Sequence, residues 1–160
     1  MAHALEELLQ SDAQPAVAIS TLDGSSHRGH VLSLGLPKGP SAHQAVPQPA
    51  AIEFRPQGTS TPVKIEWPAV KAVHFVRNLD REPDEHENVR FFDSAAIPPY
   101  LWVRVDFTDG EIIEGKVDNS SALMNGPCLL LYPLDETSNQ QCICIPRAAI
   151  ANLQVITFRR

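Results

Sequence analysis

Two arginines spaced four residues apart are the part of this sequence best suited to binding a ligand. Arg77 and Arg81 each carry a planar guanidinium, which can hold a phosphate through two hydrogen bonds and can stack on a guanine base. Their segment is acidic, with carboxylates at positions 80, 82, 84, 85 and 87. The pair is therefore a candidate nucleotide site. The alternative is that both arginines form ion pairs with carboxylates of their own segment.

The Arg77-x-x-x-Arg81 spacing resembles the arginine pair with which PilZ domains bind cyclic di-GMP. PilZ domains also carry a later Asp/Asn-x-Ser-x-x-Gly motif. The most similar segment here, residues 118–126, has Leu123 or Met124 where that motif needs glycine. The resemblance implies a cyclic-dinucleotide sensor, which we keep as an alternative function carried by the two arginines.

The three cysteines could form a metal site or lie in the core. Cys142 and Cys144 alternate along a predicted strand, so their sulfurs share one face, and Cys128 precedes them. Thiolates bind zinc, but the chain has no Cys-x-x-Cys pair. Ile143 and Ile145 indicate a strand that is apolar on both faces, where cysteine behaves as a small hydrophobic residue. We therefore predict neither a metal nor any other cofactor.

No spacing of serine, cysteine or histidine indicates a nucleophile beside a base, so we predict no catalytic residue and no enzyme activity.

The formal net charge of −6 argues against binding to nucleic-acid phosphates. No apolar run approaches the roughly 20 residues of a membrane span, and the chain does not open like a signal peptide. These observations predict a cytoplasmic protein.

The chain also repeats a strand–turn–strand pattern. Alternating apolar residues lead into Asp23-Gly24 and again into Asp109-Gly110, and each pair is followed by a further glycine, Gly29 or Gly115. Asp-Gly between alternating runs predicts a hairpin with a type I′ turn. Gly29 predicts a bulge or sharp bend in the second strand. Each half then continues with three further short strands, so the repeat indicates two small domains.

This pattern predicts four segments. Residues 1–14 carry leucines at helical spacing and are expected to form a short N-terminal helix. Residues 15–76 form a first small barrel, residues 77–98 an acidic linker, and residues 99–160 a second small barrel. The expected fold class is all-β, with the barrels packed through apolar faces or joined at open strand edges into one sheet.

The hairpin patterns at residues 17–29 and 103–115 resemble Sm-like and SH3-like small barrels. RNA-binding Sm-like proteins carry a basic residue followed by glycine near the last turn. The corresponding segments here, residues 67–69 and 147–149, read WPA and RAA and lack that pair. The resemblance therefore implies the fold, and it leaves Sm-like RNA binding as a second alternative function.

Residues 70–80 and 132–140 resemble two segments of an uncharacterised bacterial family, "LKAVFFVRDLDG" and "FPxDxxSNN". This resemblance covers most of the chain and implies a tandem small-barrel protein with no known activity. Together with the missing catalytic pattern, it predicts a non-catalytic interaction or scaffolding module. Such a module would be a subunit or adaptor of a bacterial protein assembly, and its partner would be another protein or a second copy of itself.

Overall fold

The computed structural model describes residues 14–36, 50–81, 100–119, 123, 126–135 and 137–156. Almost all of the predicted N-terminal helix and most of the predicted linker lie outside these residues. The described part is all-β, which confirms this part of the predicted fold class, while the two closed barrels stay a prediction. Its strands and two single-turn 3-10 helices are β1 (Ala16–Thr21), β2 (Ser26–Ser33), β3 (Ala51–Pro56), β4 (Val63–Glu66), η1 (Trp67–Ala69), β5 (Val70–Val76), β6 (Tyr100–Phe107), β7 (Ile112–Asp118), β8 (Cys128–Leu131), β9 (Gln140–Pro146), η2 (Arg147–Ala149) and β10 (Ile150–Val155).

The strands form two antiparallel sheets that do not follow the division into halves. The larger sheet has the order β4-β3-β2-β1-β5-β9-β8, and the smaller one has the order β10-β6-β7. A backbone bridge between Lys116 and Tyr132 links β7 to the residue after β8. With this bridge, the second half runs β9-β8-β7-β6-β10, which matches the order β4-β3-β2-β1-β5 of the first half. The contact between the halves within the large sheet is the pairing of β5 with β9.

The repeat extends to individual backbone hydrogen bonds. The amides of Leu22 and Thr108, one in each hairpin turn, donate at 3.0 Å to the carbonyls of Ala69 and Ala149 in the 3-10 helices. The register of β5 on β1 and that of β10 on β6 also shift at the same place, directly after the 3-10 helix. The two halves therefore repeat the turns, the helical step and the bulge, as well as the strands.

Both Asp-Gly hairpins form, but the predicted type I′ turn is wrong. That turn needs a positive φ at both central residues. Only the glycines have one, with φ of +87° at Gly24 and +89° at Gly110, and no described non-glycine residue does. The carboxylates of Asp23 and Asp109 instead accept the amide two residues further on, at 2.9 and 3.0 Å. Each loop is thus a turn of right-handed residues closed by a left-handed glycine, which is the usual three-residue hairpin.

The later glycine of each repeat lies where a neighbouring strand approaches closely. A Cβ on Gly29 would lie 2.0 Å from the carbonyl oxygen of Arg55, and one on Gly115 would lie 2.6 Å from Cγ of Leu131. The expected irregularity in β2 occurs slightly later, where its register on β3 shifts between Val31 and Ser33. The two glycines therefore allow the hairpins to pack directly against β3 and β8.

Two apolar clusters form the core, and the paired strands β5 and β9 contribute to both. Val73 and Cys144 pack in the first cluster with side chains from β1, β2 and β3. Ala72 and Ile143, which are next to them in sequence, pack in the second cluster with side chains from β6, β7 and β8. Both faces of these two strands are consequently buried, as the apolar run around Cys144 predicts.

Candidate functional site at the junction of the two halves

The junction begins with the backbone pairing of β5 and β9. Val73 lies opposite Cys144, His74 opposite Ile143 and Phe75 opposite Cys142, in antiparallel register. Nearly every residue in both strands is buried. The two halves are therefore joined by main-chain hydrogen bonds that are shielded from water, which is a stronger connection than a contact between loops.

Asn139 secures the end of this junction. Its side-chain oxygen accepts the amide of Asn78 at 3.0 Å, and its Nδ2 donates at 3.0 Å to the carbonyls of Asn78 and Arg81. Asn139 is buried, so these hydrogen bonds replace those that its amide would form with water. The two segments that resemble the uncharacterised family thus contact each other, and Asn139 attaches the chain after β5 to the second half.

The two arginines singled out in the sequence are both exposed, on the stretch of chain that Asn139 holds. Nε of Arg77 donates to the carbonyl of Ser138 at 3.3 Å, and the amide of Arg77 donates to that of Asn139 at 2.8 Å. Arg81 contributes its own carbonyl to Asn139. Arg77 therefore has a structural contact across the junction, made through only one of its three guanidinium nitrogens. Nucleotide binding by this pair stays a prediction.

A groove opens beside Arg77, where the ends of β5, β6, β7 and β9 meet. Its volume is about 400 Å³, which is within the range of small-molecule sites. We call it the junction groove, and it is lined by Arg77, Tyr100, Lys116, Tyr132, Pro133 and Gln141. Two cationic residues and two tyrosines therefore line one cavity, and none of its described lining residues is a carboxylate, although the protein as a whole has a net charge of −6.

The polar groups of the junction groove are available to a ligand. Nζ of Lys116 lies 5.9 Å from the ring centroid of Tyr100 and has no carboxylate partner in the described structure. Burial, followed by the nearby charge of Asp118, raises the pKa of Tyr132 to about 12. The phenol of Tyr132 is therefore protonated at neutral pH and can donate a hydrogen bond.

A second polar cluster crosses the junction at His74. Its Nδ1 donates to Oε1 of Gln140 at 3.0 Å, and its Nε2 lies 3.3 Å from Oγ of Ser20. Burial lowers the pKa of His74, and the hydrogen bond to Gln140 opposes this shift only in part. The ring is therefore neutral at pH 7 and connects β1, β5 and β9 as a structural group.

A buried lysine also joins the two halves. Nζ of Lys71 lies 2.6 Å from Oδ2 of Asp109, also pairs with Glu111, and sits 4.8 Å from the ring centroid of Phe107. Burial lowers the pKa of Lys71, but the hydrogen bonds with the two carboxylates outweigh it and raise the pKa above the ordinary 10.5. Lys71 belongs to the first half, and the carboxylates belong to the Asp-Gly hairpin of the second.

The cysteines lie close together in the first core cluster. Cys142 and Cys144 are buried, and Cys128 is half-buried. Burial raises the pKa of Cys142 to about 12, so its thiol is protonated and unreactive at neutral pH. Among the described residues, no group of three histidine, cysteine or acidic side chains is arranged to hold a metal ion.

Of the four strands that end the two sheets, β7 and β8 are linked by the Lys116–Tyr132 bridge, whereas β4 and β10 each have one edge that no described strand covers. β4 pairs only with β3, and β10 pairs only with β6, among the described residues. Val63 on β4 is 43% exposed, and Val155 on β10 is 49% exposed. In the repeat, β4 corresponds to β9 and β10 corresponds to β5. The counterparts of the two junction strands therefore each keep an exposed edge.

Sequence analysis identifies Arg77 but misses the other groove residues. Tyr100, Lys116, Tyr132 and Gln141 come from four separate segments, and each is an ordinary strand or loop residue in its own context. The available signal is the loss of the repeat at these positions, since Tyr132 and Lys116 have no aromatic or lysine counterparts in the first half. Such a signal does not show that the residues share a cavity.

No helix in the described part of the chain is both long enough and apolar enough to cross a bilayer. The family model described as a family of unknown function, DUF6982, matches residues 13–157. The match covers nearly the whole sequence, so the chain belongs to this family. Neither a curated protein nor a solved structure matches the chain.

Proposed function

We propose that this member of DUF6982 is a non-catalytic assembly module whose copies join through their strand edges. In this proposal each half is an Sm-like small barrel, and the protein is a subunit of a bacterial cytoplasmic complex. The carrying observation is the pairing of β5 with β9, because it is a complete edge-to-edge contact between two copies of the same repeat. The molecule offers the same two edges again, on β10 and β4.

The repeat predicts how a second copy would pair. His74 and Gln154 are each the fifth residue of the strand that follows a 3-10 helix. Ile143 and Val63 each lie four residues before the first residue of a 3-10 helix. Since His74 faces Ile143 within one chain, Gln154 of one copy should face Val63 of the next. The pairing is antiparallel and would extend the large sheet from one molecule into another.

Burial supports this arrangement. An exposed strand edge presents unpaired backbone N–H and C=O groups with which another strand can pair, and β4 keeps such an edge although it also carries Lys64 and Glu66. Val63 and Val155 are exposed apolar side chains on these two edges. Because β4 and β10 are different surfaces, the contact is head-to-tail and produces a closed ring or a filament rather than an isolated dimer.

The first test measures the molar mass of the purified protein by light scattering across a range of concentrations. We expect assemblies larger than a dimer for the natural sequence. Val63→Lys and Val155→Lys should each reduce the assembly to smaller species, since both place a charge on a proposed contact edge. Ile112→Lys is the matched control, because Ile112 is 49% exposed but lies on β7, outside either edge. A strictly monomeric natural protein, or assembly that survives both edge variants, would refute the proposal.

A disulfide test examines the register. In the double variant Val63→Cys and Gln154→Cys, opposed antiparallel residues have Cα atoms at a distance that a disulfide can span. Oxidation should produce a ladder of covalent multimers. The single variant Val63→Cys should give no ladder, because each chain then has only one of the two contact cysteines, and the natural protein controls for Cys128. If the single variant crosslinks as well as the double, the head-to-tail register is wrong.

A further inference from the structure

The junction groove combines the groups that recognise a phosphate with those that recognise a flat ring. Arg77 and Lys116 supply positive charge from opposite halves of the chain. Of the Arg77 guanidinium, Nε alone is engaged by the described part of the chain, through the carbonyl of Ser138. Arginine binds phosphate oxygens through paired N–H groups, and lysine binds them as a point charge. An anion entering the groove would thus meet two cations that form no ion pair with a described carboxylate, although the charge of Asp118, on the same strand as Lys116, acts on the neighbouring Tyr132.

The remaining lining residues indicate what the anion carries. Tyr100 and Tyr132 both line a cavity of about 400 Å³, and aromatic faces stack on planar heterocycles. Gln141, which is half-buried, has a side-chain amide that can both donate to and accept from the edge of a base. The volume is near the lower end of the range for small-molecule sites, so it suits a single nucleotide unit better than an extended polymer.

We propose that the junction groove binds a nucleoside phosphate, with Arg77 and Lys116 on the phosphate and the two tyrosines and Gln141 on the base. The site is separate from the edges of β4 and β10 and does not depend on assembly through them. Because the lining comes from both halves, occupation of the groove would strengthen the junction between β5 and β9. Ligand binding should therefore raise the melting temperature of the protein.

The test titrates the full chain with AMP and with GMP by calorimetry at low salt, and follows thermal unfolding in parallel. We expect saturable binding of at least one of them and a higher melting temperature. Inorganic phosphate and the matching nucleoside should each bind at least about tenfold more weakly, because each lacks one half of the contacts. If inorganic phosphate binds as tightly as the nucleotide, the base contacts are refuted. If neither nucleotide binds, the whole proposal is refuted.

Variants locate the binding in the groove. Lys116→Met keeps the aliphatic stem beside Tyr100 but removes the charge, and it should weaken binding about tenfold or more. Gln141→Glu keeps the side-chain shape while adding a negative charge to the groove, and it should also weaken binding. This second variant keeps the test usable if Lys116→Met does not fold. Lys64→Met is the matched control for affinity, because it removes one lysine charge from β4, outside the groove lining, and its molar mass is measured as well because β4 is also a proposed assembly edge. Unchanged affinity in folded Lys116→Met and Gln141→Glu would overturn the assignment.

Discussion

Removing the two carboxylates that face Lys71 should destabilise this protein more than removing Lys71 itself. Lys71 is buried, whereas the side chains of Asp109 and Glu111 are 33% and 65% exposed. In the double variant Asp109→Asn and Glu111→Gln, the ammonium group stays buried without an opposite charge. In Lys71→Met, both carboxylates can be hydrated at the surface, and the new side chain still packs on the ring of Phe107.

The expected magnitudes follow from this asymmetry. Leaving a charge buried without its partner costs roughly 3–5 kcal/mol in a fully enclosed site. The carboxylates are partly solvated, so water and salt reduce that figure, and we expect the double variant to lose about 2–3 kcal/mol. Replacing the buried lysine by an apolar side chain of similar volume should change the free energy of unfolding by less than about 1 kcal/mol in either direction.

Equilibrium unfolding in urea, followed by the fluorescence of the buried Trp67 and Trp102, measures these differences. The triple variant, which combines Lys71→Met with both carboxylate changes, should recover most of the stability lost in the double variant. Asp106→Asn is a control for the loss of a carboxylate, because Asp106 pairs with Arg104 at the exposed surface, and it should change stability little.

The result that refutes this reasoning is a loss of stability in Lys71→Met as large as that in the double variant. The pH dependence gives an independent check. The hydrogen bond from Lys71 lowers the pKa of Asp109 below its ordinary 3.8, so its contribution is present above about pH 4 and is lost as the pH falls through the folded-state pKa. The raised pKa of Lys71 adds stability that is lost only as the pH rises above the ordinary 10.5.

Three further predictions concern other parts of the fold. Gly115→Ala should lower the free energy of unfolding by about 1–3 kcal/mol, because the added Cβ would collide with Leu131. Backbone entropy alone predicts an increase instead, so the sign of the change in urea unfolding shows whether the collision occurs. Asn139→Ala removes three hydrogen bonds and should cost about 2–3 kcal/mol, with exposed Asn152→Ala as the control; an equal effect of the two would contradict the role of Asn139 at the junction. Burial lowers the pKa of His74 below 6.5, so the unfolded chain binds the proton more tightly and stability should decrease as the pH falls below about 6.5; His74→Gln should flatten the profile, and an unchanged profile would show that another group is responsible.

Local sequence determines most of the elements of this protein. Alternating apolar residues predict the strands, and Asp-Gly between them predicts both hairpins, because these signals act within a few residues of the chain. The predicted type I′ turn is wrong. Asp23 is a residue type that tolerates a positive φ, but the sequence does not show that the loop has three residues, in which only Gly24 needs a positive φ. The all-β class and the correspondence between the two halves also follow from the residues alone.

Only the tertiary structure shows that β5 pairs with β9. Both strands are apolar on both faces, and such strands pair with whichever edge completes their burial, which is a property of the packed molecule and not of the segment. The junction groove depends on that pairing, because it brings Arg77 of the first half beside Lys116 and Gln141 of the second. The sequence by itself therefore determines the strands, the positions of the turns and their repetition. The choice of edges, and the site formed where they meet, depends on contacts between residues far apart in the chain.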